Sequence, residues 1–344
     1  MFIDSHVHLD SYHNAEIGEI LERGRAVGVQ AVISAGTTLE STKRAVELTD
    51  VFPDFFAGVG IHPMDISEPF TDDTYDHLRD MALSTEKVLV ISEVGLDFME
   101  GTPDRADQYH AFREQIRLAR ELKLPIVFHS RDAHEESFRV LKEERAYEVG
   151  GIMHYFQGGA ETARKVIDLG FYISLSGIVT FRNAEDLREI VRDIPLERVL
   201  VETDSPFLAP MPNRGKRNEP AYTVHTGQKG AEVFGLDWAE FAAQTQANFD
   251  RLFAKAAAQL AGQQNEAQLW RADYGTPLRD AAGVLSLAVE ARSQALADEL
   301  APLEEPAPES RLLEVLLSFL DRHTAPVPPD DVGARETAAR RVIR

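Results

Sequence analysis

Short runs of β-branched and aromatic residues alternate along the chain with stretches whose apolar positions recur every three or four residues. The runs fall at 2–9, 30–35, 55–61, 88–94, 126–129, 151–155, 171–176 and 199–202, and their length and composition predict strands. Between them the period changes to that of helices, as at 15–27, at 106–122 with apolar Phe112, Ile116 and Ala119, and at 184–192. Eight such repeats over about 250 residues predict a TIM (β/α)8 barrel, whose active site lies at the C-terminal ends of its strands. The competing architecture, a doubly wound open sheet, normally carries a glycine-rich phosphate turn after its first strand. Here that place holds His6-Val7-His8-Leu9-Asp10.

That first strand carries candidate chemistry. Side chains of a strand alternate between faces, so His6 and His8 converge on one point while Val7 turns away into packing. Further imidazoles and carboxylates stand where other predicted strands hand over to loops: Glu93, His129, His154 and Asp204. Nitrogen and oxygen donors of this kind suit Zn, Mn or Mg. Four histidines and two carboxylates are too many for one ion and suit two, with Glu93 on the middle strand placed to bridge them. A metal pair about 3.5–4 Å apart activates water and polarises a phosphoryl or carbonyl oxygen, so the expected reaction class is metal-assisted hydrolysis. Asp204 has two readings, a helix N-cap ahead of Ser205-Pro206 or a metal ligand that also serves as general base; the company of the other five favours the second. His62, after the third strand, faces the same mouth and either caps a turn there or contributes to substrate binding.

After the eighth strand come a polar loop over 206–220 and helical patterns at 224–235 and 238–253, so the barrel domain is expected over 1–255. The remaining 256–344 form a different, Ala/Glu-rich region with a predicted helix at 284–300, a Pro/Glu linker, an amphipathic helix from Leu312 to Leu320 and a disordered tail. The apolar face of the 312–320 helix either docks on its own barrel or serves as an interaction element for a partner or a second copy. The net charge of -21 argues against broad non-specific binding to nucleic acid. Against it stands the basic cluster Arg214, Lys216 and Arg217 in the loop after the last strand, either solvated loop charge or a phosphate clamp at the mouth. The absence of cysteine excludes disulfides and thiolate ligands and fits a reducing compartment. No basic and apolar leader pattern precedes the first strand and no apolar run is long enough to span a bilayer, so a soluble, cytoplasmic protein is expected.

The residues resemble the TatD family of metal-dependent hydrolases, within the amidohydrolase-like TIM barrels. The resemblance rests on Asp4-Ser5-His6-Val7-His8-Leu9-Asp10, Gly58-Val59-Gly60-Ile61-His62-Pro63, Glu93-Val94-Gly95-Leu96-Asp97, the run from Pro125 to Arg131 with His129, and His154-Tyr155-Phe156-Gln157-Gly158. It continues through Glu202-Thr203-Asp204-Ser205-Pro206-Phe207-Leu208-Ala209-Pro210, Arg214 to Pro220, and Asn248 with Arg251-Leu252-Phe253. It implies that His6, His8, Glu93 and Asp204 hold one metal, that Glu93, His129 and His154 hold a second, and that Glu202 marks a position for a third. It also implies divalent-cation-dependent DNase activity, including exonuclease action on single-stranded DNA. A D-aminoacyl-tRNA deacylase or a small-molecule ester or amide hydrolase could use the same site, and a partner-binding platform acting through the C-terminal helices is a reading of another class. Ser92 replaces the family's usual glycine before the bridging glutamate and Phe98 a common aromatic hydroxyl, which alters the surroundings and removes no ligand.

Overall fold

The computed structural model describes residues 2–254. Its strands are β1 (Phe2–Val7), β2 (Val29–Ser34), β3 (Phe55–Val59), β4 (Val88–Asp97), β5 (Ile126–Arg131), β6 (Gly151–Met153), β7 (Tyr172–Leu175) and β8 (Val199–Val201). They pair in chain order, each parallel to the next. Helices α1 (Asn14–Ala26), α2 (Leu39–Val51), α3 (Asp72–Leu83), α4 (Arg105–Leu122), α5 (His134–Glu143), α6 (Ala160–Asp168) and α7 (Glu185–Arg192) lie between them, and α8 (Thr223–Phe234) and α9 (Trp238–Leu252) follow β8. This is the expected TIM barrel. The predicted helices at 284–300 and 312–320 lie outside the described residues.

The seam between β1 and β8 is closed by few backbone bonds, all toward the C-terminal end. His8 N–H donates to the Ser205 carbonyl at 2.7 Å and Asp204 N–H to the His6 carbonyl at 2.9 Å. Lower in the seam side chains take over, with Ser5 Oγ donating to the Val201 carbonyl at 2.9 Å and Thr203 N–H donating to Asp4 Oδ1 at 2.8 Å. The Thr203 and Thr223 hydroxyls both donate to Asp4 Oδ2. Among the described residues Asp4 has no cationic partner, and burial, outweighing the Thr203 hydrogen bonds, pushes its carboxyl up to about 8.

Two glutamines tie α4 to the strand ends. Asp104 caps this helix, accepting from Ala106 N–H at 2.7 Å, and the helix buries Ala111, Phe112, Ile116 and Ala119 at helical spacing. On the same buried face, Gln108 accepts from Asp97 N–H and donates to the Asp97 carbonyl, both at 2.8 Å. Gln115 does the same for Ile61, at 2.7 and 3.1 Å. Each carboxamide satisfies backbone groups that the barrel would otherwise bury without partners, and so fixes the chain next to Asp97 and His62.

Strand ends differ from the expected ones where the hydrophobic period cannot show register. β4 runs on to Asp97 rather than stopping at Val94, so Glu93 lies inside the strand and not at its end. Gly95 makes the extension fit: at its φ of +149° a Cβ would lie 2.0 Å from the His129 carbonyl oxygen on β5. Conversely, β6 and β8 end at Met153 and Val201, short of the expected 155 and 202.

Candidate metal centre

β1 delivers His6 and His8 as alternation requires: their Nε2 atoms approach to 3.2 Å, while Val7 packs with Leu9, Ile17 and Val32 between barrel and helices. The seam hydrogen bonds bring Asp204 alongside, with Oδ1 at 3.2 Å from His8 Nε2 and 3.8 Å from His6 Nε2. No helix starts at Asp204; the next helical element begins at Pro220, so the N-cap reading does not describe it.

Glu93 is placed by an irregularity. The β4 register against β5 slips between Ile91 and Val94, and Glu93 N–H donates to the Gly36 carbonyl at 2.7 Å. Neighbouring β3 leaves room, since a Cβ on Gly58 would lie 2.8 Å from Ser92 Cβ and one on Gly60 2.8 Å from the Ser92 carbonyl oxygen. Ser92 thus fills space against Gly58, and its buried hydroxyl has no hydrogen-bond partner.

The two oxygens of Glu93 face different imidazoles. Oε2 lies 3.2 Å from His6 Nε2 and 3.5 Å from His8 Nε2. Oε1 lies 2.6 Å from His154 Nε2, 3.2 Å from His129 Nδ1 and 3.3 Å from His62 Nε2. Among the described residues three triads have donor atoms mutually within 4.8 Å: His6, His8 and Glu93; His6, His154 and Asp204; and His62, Glu93 and His129. Each can hold a cation. The triads overlap, with His154 grouped beside His6 and Asp204 as well as facing Glu93.

Neighbouring carboxylates orient the imidazoles. His129 donates through Nε2 to Asp97 Oδ2 at 2.9 Å, which leaves the Nδ1 lone pair toward Glu93, the arrangement by which a carboxylate fixes a metal-binding histidine. Glu202, fully buried, lies 3.6 Å from His154 Nδ1 and accepts from Tyr155 N–H at 2.7 Å, holding Tyr155 at a φ of +47°.

Charge in the cluster is balanced by imidazoles against carboxylates. Burial pushes the Glu93 carboxyl up, but His154, His62 and His129 overcome it and hold it well below the usual range. Burial pushes His154 down, and Glu93 and Glu202 carry it well above the usual imidazole value. His8 and His129 are raised in the same way, against burial, by Asp204 and Glu93 and by Asp97 and Glu93 respectively. His6 falls, because burial and His154 outweigh Glu93. Both ring nitrogens of His154 and Glu202 Oε2 are buried without a hydrogen-bond partner; the 2.6 Å approach of His154 to Glu93 is an ion-pair distance without hydrogen-bond alignment. Unpaired buried donors amid ionised carboxylates fit divalent cations.

His62 caps the turn and also faces the cluster. Its Nδ1 accepts from Met64 N–H at 3.1 Å, capping the turn, while Nε2 faces Glu93. The basic loop is less uniform than its sequence: Arg217 pairs with Glu16 at 2.6 Å and lies over Tyr12, whereas Arg214 stacks on Phe181 at 4.3 Å and, like Lys216, has no carboxylate within 4 Å among the described residues. Phe98 lies beneath the Arg105 guanidinium at 4.0 Å and edge-on to Tyr109. Sequence reasoning gave no role to Asp97, Asp4, Gln108 or Gln115. Asp97 and Asp4 left a signal, as the acidic residues closing the Glu93 motif and opening the His6 motif.

A parallel barrel with imidazoles and carboxylates converging at its C-terminal mouth has the layout of a metal-dependent hydrolase. The chain belongs to the TatD related DNase family, whose model it matches over residues 3–254. It is 40% identical over 254 residues to the uncharacterized metal-dependent hydrolase YabD of Bacillus subtilis, covering 74% of this chain and 99% of that one. It is 36% identical over 243 residues to the 3'-5' ssDNA/RNA exonuclease TatD of Cronobacter sakazakii, covering 69% and 91%. Among solved structures it resembles the TatD homolog YJJV of Escherichia coli, with a TM-score of 0.69, 27% identity and coverage of 74% and 98%. The protein is therefore a metal-dependent hydrolase. No helix among the described residues is long and apolar enough to cross a membrane.

Proposed function

We propose that this hydrolase is a deoxyribonuclease that shortens single-stranded DNA from its 3′ end, using two divalent cations. The observation that carries the binuclear reading is the division of Glu93, with Oε2 toward His6 and His8 and Oε1 toward His154, His129 and His62. On this reading His6, His8 and Asp204 hold one ion, His129 and His154 hold the other, and Glu93 joins them. Divalent cations held there supply Lewis acidity toward a phosphoryl oxygen and toward water. The chain's own part is to place and move protons. Asp204, kept ionised by His8 against its burial, receives the proton of the attacking water and returns it to the leaving oxygen. Asp97 holds His129 in the tautomer that presents Nδ1. Arg214 and Lys216, the cations of the mouth loop without a carboxylate partner among the described residues, receive the phosphates of the strand. Likeness to a named 3'-5' ssDNA/RNA exonuclease over most of the barrel supports this choice of substrate.

The test is incubation of purified protein with 5′-labelled single-stranded DNA and Mg, Mn or Zn. Progressive shortening from the 3′ end, two ions per chain, and loss of both in His8→Ala and Glu93→Ala are expected. Release of no nucleotide with any of the three metals would overturn the assignment. Faster turnover of D-aminoacyl-tRNA than of the oligonucleotide would move it to carboxylic-ester hydrolysis at the same centre.

A further inference from the structure

Large apolar side chains exposed among the described residues lie at both ends of the barrel, with Leu39 at the start of α2 and Met64 beside His62 on the mouth side. Val27, Val51 and Leu83 mark the C-terminal ends of α1, α2 and α3, on the face opposite the metal centre, and Tyr147 lies just before β6. Phe207 is the most exposed of the apolar residues on the mouth side and the aromatic one among them: it stands three residues after Asp204, is 59% exposed, and its ring centroid is 6.1 Å from that of His8. Leaving a phenyl ring in water forgoes roughly 25 cal/mol for each Å² that could be buried, so this placement has a cost that packing does not recover.

The ring is exposed but its backbone is held. Phe207 N–H donates to the Asp204 carbonyl at 2.9 Å. Its own carbonyl accepts from Asn218 Nδ2 at 2.6 Å, and the same buried carboxamide also donates to the Thr203 carbonyl at 2.8 Å. Position and orientation of Phe207 are therefore tied to the segment that carries Asp204. The same loop brings Arg214, its guanidinium stacked on Phe181 without a carboxylate partner, and Lys216. An exposed aromatic ring on a backbone held in place, in the same loop as cations without a carboxylate partner among the described residues, is a combination that suits single-stranded nucleic acid, bases stacking on the ring and phosphates meeting the charges.

We infer that Phe207 is a stacking platform for the base next to the scissile phosphate, so that the enzyme recognises a nucleotide by its planar base as well as by its phosphodiester. This rests on the nuclease reading above and narrows it: a strand end with a base is a better substrate than the same end without one, whichever base it is. A ring has no donors or acceptors in its plane with which to select a sequence. Phe207 positions the strand and moves no proton.

The experiment compares single-stranded oligonucleotides whose 3′-terminal unit either bears a base or is an abasic spacer, using the full chain, Phe207→Ala and Phe207→Trp. Base stacking of about 1–3 kcal/mol corresponds to a preference of roughly 5- to 150-fold in the wild type. That preference is expected in KM rather than kcat, to collapse toward one in Phe207→Ala, and to return in Phe207→Trp. Stopped-flow quenching of a 3′-terminal 2-aminopurine provides a readout independent of cleavage, present in the wild type and lost in Phe207→Ala. Equal preference and equal quenching in wild type and Phe207→Ala would overturn the platform. If the wild type cleaves no strand, the nuclease reading fails by itself; quenching that depends on Phe207 would still uphold the platform, and its absence would overturn that as well.

Discussion

Asp97→Asn changes one oxygen to an amide nitrogen at the far side of His129. Asp97 is fully buried, with Oδ2 at 2.9 Å from His129 Nε2 and Oδ1 accepting from Met99 N–H at 2.9 Å. Gln108 grips the Asp97 backbone from both sides, so the side chain cannot swing away. A carboxylate accepts in both directions and a carboxamide in only one. Whichever way the Asn amide turns, its NH2 meets an N–H. Met99 cannot change its proton, but His129 can move its own from Nε2 to Nδ1, the nitrogen that lies 3.2 Å from Glu93 and must offer a lone pair to a metal. A hydrogen bond to a charged group contributes about 1.5–3 kcal/mol, and loss of the outer partner of a metal-bound histidine weakens metal affinity about 10- to 100-fold. The two scales agree. Competition titration against a chelating dye should therefore show two binding steps in the wild type, and in Asp97→Asn one step weakened about 10- to 100-fold with the other little changed. Turnover at limiting metal should fall in parallel and recover as metal is raised. Two unaltered steps, in a variant with wild-type melting temperature, would refute the role given to Asp97.

Gly95→Ala puts a Cβ 2.0 Å from the His129 carbonyl at a positive φ, and is expected to cost roughly 3 kcal/mol or more, read as a lowered midpoint in urea. Asp4, with its carboxyl raised to about 8 in the folded state, contributes stability that is full below the unfolded carboxyl value near pH 4 and is lost as pH rises toward 8. Asp4→Asn should thus gain on the wild type by up to about 1.4 kcal/mol per pH unit across that window, measured by denaturation of chelator-treated protein at pH 5 and pH 8. Arg214→Ala and Lys216→Ala should each lower the salt dependence of oligonucleotide binding by about one ion, whereas Arg217→Ala, whose charge is already met by Glu16, should lower it less.

The sequence revealed those parts of the molecule that depend on local period. His6 and His8 share a face because strands alternate, and the barrel follows from repeated exchange of strand and helix periods. Glu93 was found by its type and misplaced by its position, since a register slip against β5 leaves no trace in hydrophobicity. Residues that act across the fold were harder to see. Arg217 meets Glu16, which stands 201 positions away and which no local pattern announces. Gln108 and Gln115 look like ordinary polar helix positions until β4 and the turn before His62 supply the backbone groups they satisfy. Asp97 lies in a recognisable motif, but its task appears only when β5 sets His129 beside it.

The β1–β8 seam has a bearing on how the barrel stays closed. Asp4 and Thr203, 199 positions apart, sit at a junction with few backbone bonds, and the half-site of His6, His8 and Asp204 lies directly above it. On the proposed reading, a cation held there would join the two ends of the barrel's chain, closing a very long loop, where a cross-link removes the most freedom from the unfolded state. In a chain without cysteine, such an ion would take the place of a removable covalent tie, and chelation should loosen β1 and the segment after β8 before it loosens the middle strands, an order that hydrogen exchange can resolve.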